Sequence, residues 1–276
     1  MSTNKFGSSN ANVITLQGFR AETEIEKAGG AMMGTLRAKV YGVHQDDMNN
    51  ITTLQWKPGT LIFNTVEVYA IDGDQQTLVF AGNIVNAFGD YKSMPNVNLY
   101  IQAQSAFFNQ LLLKEPRSFK GQIDVATVIS QIAKDMGYNF ENNGVNVQLD
   151  NVYLPNSNME QIKDLVKMAN CDLYLDDNVL AITPKFAPRS DIKIPLIAYY
   201  SGLIGYPSFD GIGVTFDVKF NPAIRFGALV DLQTDVFKAS GKWVVTSVNH
   251  KLDAEKPNGL WQSTVRGNYN GLAITK

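Results

Sequence analysis

Apolar side chains occupy every second position from Ile212 to Phe220: Ile212, Val214, Phe216, Val218 and Phe220 alternate with Gly213, Thr215, Asp217 and Lys219. A period of two sends successive side chains to opposite faces of an extended chain, so the segment predicts a strand with those five residues on one buried face. Such a strand cannot bury its face alone. It commits the neighbouring chain to supply ladder partners and a second layer. Asn221-Pro222 ends the run, since proline cannot donate to a ladder.

Partners are available on both sides. Ala228–Gln233, Trp243–Val248 and Leu260–Arg266 read as strands, with Ser240-Gly241 and Pro257-Asn258-Gly259 as turns between them. Near the N-terminus, Val13–Leu16, Ala31–Tyr41, Leu61–Tyr69, Leu78–Val85 and Val97–Gln104 are candidate strands, and Asp72-Gly73-Asp74 is a hairpin signal. A short helix interrupts this set, with Met48, Ile51 and Leu54 on one side and Pro58-Gly59 as its stop. The first ten residues are small and polar and read as a flexible arm.

The middle of the chain has a different period. Val125, Val128, Ile129, Ile132, Ala133 and Met136 share a helical face between Asp124 as N-cap and Gly137 as stop. Ser157-Asn158-Met159-Glu160 matches a capping box ahead of Ile162, Leu165, Val166 and Ala169. Leu173–Leu175 and Val179–Ile182 flank Asp176-Asp177-Asn178 as a hairpin. The expected division is a first β-barrel over 1–110, an α+β insert over 111–190 and a second β-barrel over 191–276. The two β regions echo each other: GTLIFNTVEVY then VFAGNIVNA in one, GALVDLQ then WVVTSVNH in the other. Hairpins look alike, so both duplication and coincidence fit this echo.

Composition narrows function. With 24 Lys+Arg against 26 Asp+Glu there is no basic excess to serve nucleic-acid phosphates. Charged residues are 18% of the chain and the 25 Asn make up much of the difference, a surface that neighbours can cover without stranding many charges. One cysteine, Cys171, cannot form an internal disulfide. The N-terminus lacks the basic-then-apolar pattern of a secretory signal, and Ile194–Tyr206 is too short and too interrupted to span a bilayer, so cytoplasmic synthesis without a membrane anchor is expected.

Catalytic patterns are missing from the linear sequence. His44 opens a helix and His250 ends a strand; there is no G-x-S-x-G elbow, H-E-x-x-H or C-x-x-C. Cys171 reads as a buried structural thiol, and His250 with Asp253 as a surface hairpin pair. Asp72-Gly73-Asp74 and Asp176-Asp177-Asn178 lack the register of a calcium loop and read as turns. Gly211-Ile212-Gly213 leads into a strand, which rules out a dinucleotide cradle. No catalytic, cofactor-binding or metal residue is assigned, and no enzyme activity is expected.

The residues also carry a resemblance. ITLQGFRAETEIEKAGGAMMGTLRAKVYGVHQDDMNNI, IGYPSFDGIGVTFDVKFNPAIRFGALVDLQ and GKWVVTSVNHKLD resemble the baseplate or tail hub proteins of contractile-tailed bacteriophages, and DVATVISQIAKDMGYNFENNGVNVQL resembles their insert domain. FNPAIRFG and GKWxVxxVxH are the most specific segments. The resemblance implies two tail-tube-like barrels with an α+β domain between them. It further implies a structural virion protein, a homotrimeric hub that encloses the axial channel. Its partners would be the six-fold tail tube or tube initiator above, the three-fold central spike below, and baseplate wedge proteins, with phage DNA only passing through. Some relatives carry a fused cell-wall hydrolase or needle; the sequence ends at Lys276, so neither is expected here. The competing expectation is a glycan-binding or cell-wall-degrading tail enzyme using the aromatics Tyr199, Tyr200 and Tyr206.

Overall fold

A computed structural model describes residues 13–28, 32–52, 64–92, 94–190 and 193–269. In the first β region, β1 (Ala21–Ala28), β2 (Thr35–Tyr41), β3 (Thr65–Asp72), β4 (Gln75–Asp90) and β5 (Asn98–Gln104) surround α1 (Gln45–Ile51). Next come α2 (Phe107–Leu111), β6 (Arg117–Ser118), β7 (Gln122–Asp124), α3 (Val125–Met136), β8 (Asn139–Asn142), β9 (Gln148–Asp150), β10 (Tyr153–Leu154), α4 (Asn158–Met168), β11 (Cys171–Asp176) and β12 (Val179–Pro184). The last β region holds β13 (Leu196–Ile197), β14 (Leu203–Phe209), β15 (Gly213–Lys219), β16 (Leu229–Leu232), β17 (Gly241–Ala254) and β18 (Trp261–Tyr269).

The expected mainly-β composition holds, but no closed barrel is found among the described residues. Both β regions join in one eleven-stranded sheet, ordered β14-β15-β18-β17-β1-β2-β5-β4-β3, with β16 beside the start of β17 and β13 parallel to β16. Among the described residues no ladder closes either half on itself. The reason is the length of β17. Its first residues, Gly241–Val244, pair with β16, while Ser247–Ala254 pair antiparallel with all of β1. The two halves are therefore stitched edge to edge. Each has its own core: Ile25, Leu36, Phe80, Leu99 and their neighbours in one, Val214, Phe216, Val230, Trp243 and Val265 in the other.

Residue chemistry accounts for the elements between. Asp124 accepts from the Thr127 N–H at 2.9 Å to start α3, and Gly137 ends it at φ 81°, a left-handed value glycine adopts without strain. Ser157 caps α4 by accepting from the Glu160 N–H, while the Glu160 carboxylate turns outward to Lys163. The two helices and β11–β12 enclose a separate core that includes Ile129, Ile132, Met159, Leu165 and Ile182.

Several expectations shift. Val13–Leu16 is not a strand, although Ile14 and Leu16 pack on the first core. β4 begins three residues before Leu78–Val85 and runs five residues past it to Asp90, by way of a bulge between Ile84 and Asn86. Ile212 lies outside β15 and is exposed, while Phe220 is half-buried against the first core. β1 and β14 were not anticipated. Residues 1–10, Leu54, Pro58-Gly59 and Leu61–Phe63 lie outside the described residues.

Candidate functional site

Asp176 and Asp177 form the turn of the β11–β12 hairpin, with Asp177 at φ 58°, as the sequence suggested for this triplet. Their burial was not anticipated: both side chains are nearly inaccessible. Lys27 of β1 places Nζ 2.8 Å from Asp176 Oδ1 and 2.8 Å from Asp177 Oδ1. The other Asp176 oxygen, Oδ2, accepts from Arg189 Nη1 at 2.9 Å and from Arg225 Nε at 2.9 Å. Arg189 also grips Glu141 of β8 and donates to the Phe226 carbonyl at 3.0 Å. Three cations thus face three carboxylates, a balance that buried charge requires.

The cluster locks the hairpin to the sheet. Lys27 belongs to the first half, Arg225 to the FNPAIRFG loop of the second half, and the carboxylates to the insert. Tyr174 stacks edge-on against Phe226 at 5.1 Å beside it. Burial alone would raise the Asp176 carboxyl, but Lys27, Arg225 and Arg189 outweigh it and hold the group well below the usual carboxylate range. Asp177 is pushed up to about 6 by burial, with Asp176 adding to the rise against the pull of Lys27. Sequence patterns had no means of finding this set, because its members lie far apart along the chain.

His250 is corrected. It is 5% exposed, not a surface partner of Asp253: its Nδ1 lies 2.7 Å from Ser263 Oγ and its ring packs edge-on against Phe220. Burial, reinforced by the charge of Lys27, lowers its pKa to about 3. Asp253 instead accepts from the Leu260 N–H and pairs with Lys256. His44 is exposed and caps α1 by accepting from the Asp46 N–H at 3.4 Å. Cys171 is buried as read, and desolvation, followed by the nearby Asp172 charge, pushes its thiol up to about 11.

A cavity of about 20 Å³ lies between Lys27, Asp177, Arg225 and His250, room for a water molecule and far less than an organic substrate needs. A broader open depression is lined by Phe237, Lys238, Ser240, Gly241, Lys242, Trp243 and Tyr269, with no carboxylate among them to act on a glycoside. Tyr199, Tyr200 and Tyr206 are exposed, as read. Among the described residues no group of His, Cys, Asp and Glu could hold a metal ion, and no helix is long and apolar enough to cross a membrane.

What the geometry offers is a scaffold: a long sheet and an insert locked to it by charge. The sequence pattern of one protein family, baseplate hub gp41, matches residues 13–263. The chain belongs to the baseplate hub gp41 family. It is a structural component of the phage tail baseplate. No curated protein matches the sequence. Solved structures share the fold of this hub at low identity. A tail protein from Neisseria meningitidis MC58 is 11% identical with a TM-score of 0.64, covering 92% of this chain and 97% of that one. The 43 kDa tail protein of prophage MuSo2 from Shewanella oneidensis is 11% identical with a TM-score of 0.58, covering 91% and 94%. The E. coli c3393 protein, described as a type VI secretion component similar to the T4 tail proteins gp27 and gp5, is 9% identical with a TM-score of 0.63, covering 95% and 79%.

Proposed function

We propose that the chain works as a homotrimeric hub in a contractile phage tail, seating the three-fold central spike on the six-fold tail tube and enclosing the axial channel. One observation carries this reading. The strand order β1-β2-β5-β4-β3 recurs as β14-β15-β18-β17-β16, antiparallel throughout. Each chain thus offers two like units, and three chains offer six, which meets a six-fold ring on one side while keeping three-fold symmetry on the other. The similarity of a neighbouring structure to gp27 and gp5 agrees with a tube-and-spike setting.

In this reading the divisions are 1–110 and 191–276 as the two tube-like units and 111–190 as the insert. The hub binds tube or tube initiator above, spike below and wedge proteins around it, while DNA only passes through. It is made in the host cytoplasm, resides in the virion, and has no catalytic, cofactor or metal residue. Counting copies at the hub level in isolated tails by electron cryomicroscopy should give three. One copy or six would refute the reading.

A further inference from the structure

Four carboxylate oxygens meet at the turn of the β11–β12 hairpin, and three of them are held by protein cations. Lys27 Nζ lies 2.8 Å from both Asp176 Oδ1 and Asp177 Oδ1, and Asp176 Oδ2 accepts from Arg189 and Arg225. The fourth, Asp177 Oδ2, is buried, and among the described residues no group hydrogen-bonds to it; Arg225 Nη2 stays 3.5 Å away. The side chain that carries it is only 2% exposed, so bulk solvent does not serve it. A carboxylate oxygen left bare inside a protein loses its hydration with nothing in return, a cost that folded chains avoid by supplying a donor.

Asp177 also lines the cavity of about 20 Å³, together with Lys27 of β1, Thr77 of β4, Arg225, and Val248 and His250 of β17. Ser263 Oγ engages His250 Nδ1, which leaves Nε2 as the ring nitrogen without a partner among the described residues. These neighbours define what fits. An occupant beside Oδ2 must donate a hydrogen bond. A metal cation would meet Lys27 and Arg225, and an anion would meet Asp177. Water is neutral, both donates and accepts, and is the size this space admits.

We infer that this junction is the binding site of one internal water, which donates to Asp177 Oδ2, hydrogen-bonds His250 Nε2 and accepts the third N–H of Lys27. Lys27 has that donor to give, since an ammonium carries three N–H groups and two are spent on the aspartates. Three partners are the ordinary number for a buried water. Among the described residues neither aspartate side chain hydrogen-bonds directly to β17; their partners are Lys27, Arg189 and Arg225. The water supplies that link, and it ties the turn of the insert to the strand that serves both halves of the sheet. The site stands whether or not the chain forms a trimer.

The test is a crystal structure of the full chain at a resolution that shows ordered water, with nuclear magnetic resonance of the same protein in solution. A water peak within about 3 Å of both Asp177 Oδ2 and His250 Nε2 is expected. In solution, cross-relaxation from water should reach the carbon-bound ring protons of His250 and the methyls of Val248. It should not reach the methyls of Val265, which is buried opposite Val248 and does not line the cavity. Carbon-bound protons do not exchange with solvent, so the signal needs a water held nearby. Val248→Ile adds a methylene to the cavity wall; it should abolish the His250 signal and lower the melting temperature, because Oδ2 is then bare. A higher melting temperature for that variant would show that the space was dry, which overturns the site. So does a structure in which Arg225 or another protein donor sits on Oδ2 with no peak in the cavity, and so does an ion refined in place of the water. Equal cross-relaxation at Val265 and Val248 overturns it as well.

Discussion

His250 shows how burial converts a titratable side chain into a stability term. Desolvation and the Lys27 charge hold its pKa at about 3, while in the unfolded chain it returns to its ordinary 6.5. Unfolding therefore takes up a proton between those values, and acid favours the unfolded state by about 1.4 kcal/mol for each pH unit below 6.5. Asp177 acts in the opposite sense: pushed up to about 6 from 3.8, it binds its proton earlier in the folded state, so its contribution grows as pH falls through that window. Both enter the wild-type profile. His250→Asn removes only the first, so the stability gap between wild type and variant should narrow by about 1.4 kcal/mol per pH unit on acidification from 6.5. Urea unfolding between pH 7 and pH 4 measures it, and parallel profiles would contradict the assignment. None of this is visible in the sequence, where His250 precedes Lys251 and Asp253 and reads as a surface residue; the ring is buried because Phe220, just past β15, and Ser263 of β18 pack against it.

Among elements, β15 was the most legible. Val214, Phe216 and Val218 are all 0–2% exposed, on the face that alternation assigns to the core. The pattern misled only at its ends, where the Asp210–Gly213 turn turns Ile212 out and Phe220, just past β15, packs half-buried against the first core. Phe216→Ala should cost about 3–5 kcal/mol, the usual range for emptying a buried aromatic site. Thr215→Ala, on the opposite face, should cost well under about 1 kcal/mol. Thermal unfolding of the two variants decides it; a larger loss for Thr215→Ala would mean the faces are reversed. Two of the strands missed by sequence reading, β1 and β14, are counterparts in the repeat. AETEIEKA alternates Glu outward with Thr23, Ile25 and Lys27 inward, a weak hydrophobic signal because one inward position is the lysine of the ion cluster. β14 is interrupted by a register shift between Ile204 and Ser208, which breaks the period of two.

At the scale of the whole molecule, the connections between parts are unequal. β17 serves both halves of the sheet: Trp243, Val245 and Val248 fill the second core while Leu252 fills the first. Eight residue pairs of β1 and β17 carry the joint. The insert has its own core and meets the sheet chiefly through the ion cluster and the Tyr174–Phe226 stack. Charge pairs of this kind hold geometry more than they add net stability, since desolvation offsets most of their attraction. The sheet should then unfold as one unit and the insert as another. In a Trp56→Phe background, Phe80→Ala in the first core and Phe216→Ala in the second should lower the same tryptophan-fluorescence transition, because the remaining Trp243 and Trp261 report the second half and β17 ties it to the first. Cys171 reports the insert independently: with its thiol buried and its pKa pushed up to about 11, it should resist alkylation until the insert opens. Both substitutions should therefore leave the temperature at which Cys171 becomes reactive nearly unchanged. If Phe80→Ala leaves the tryptophan transition in place, the β1–β17 joint does not couple the halves. If Cys171 labelling shifts together with tryptophan fluorescence in both variants, the ion cluster binds the insert into a single cooperative fold.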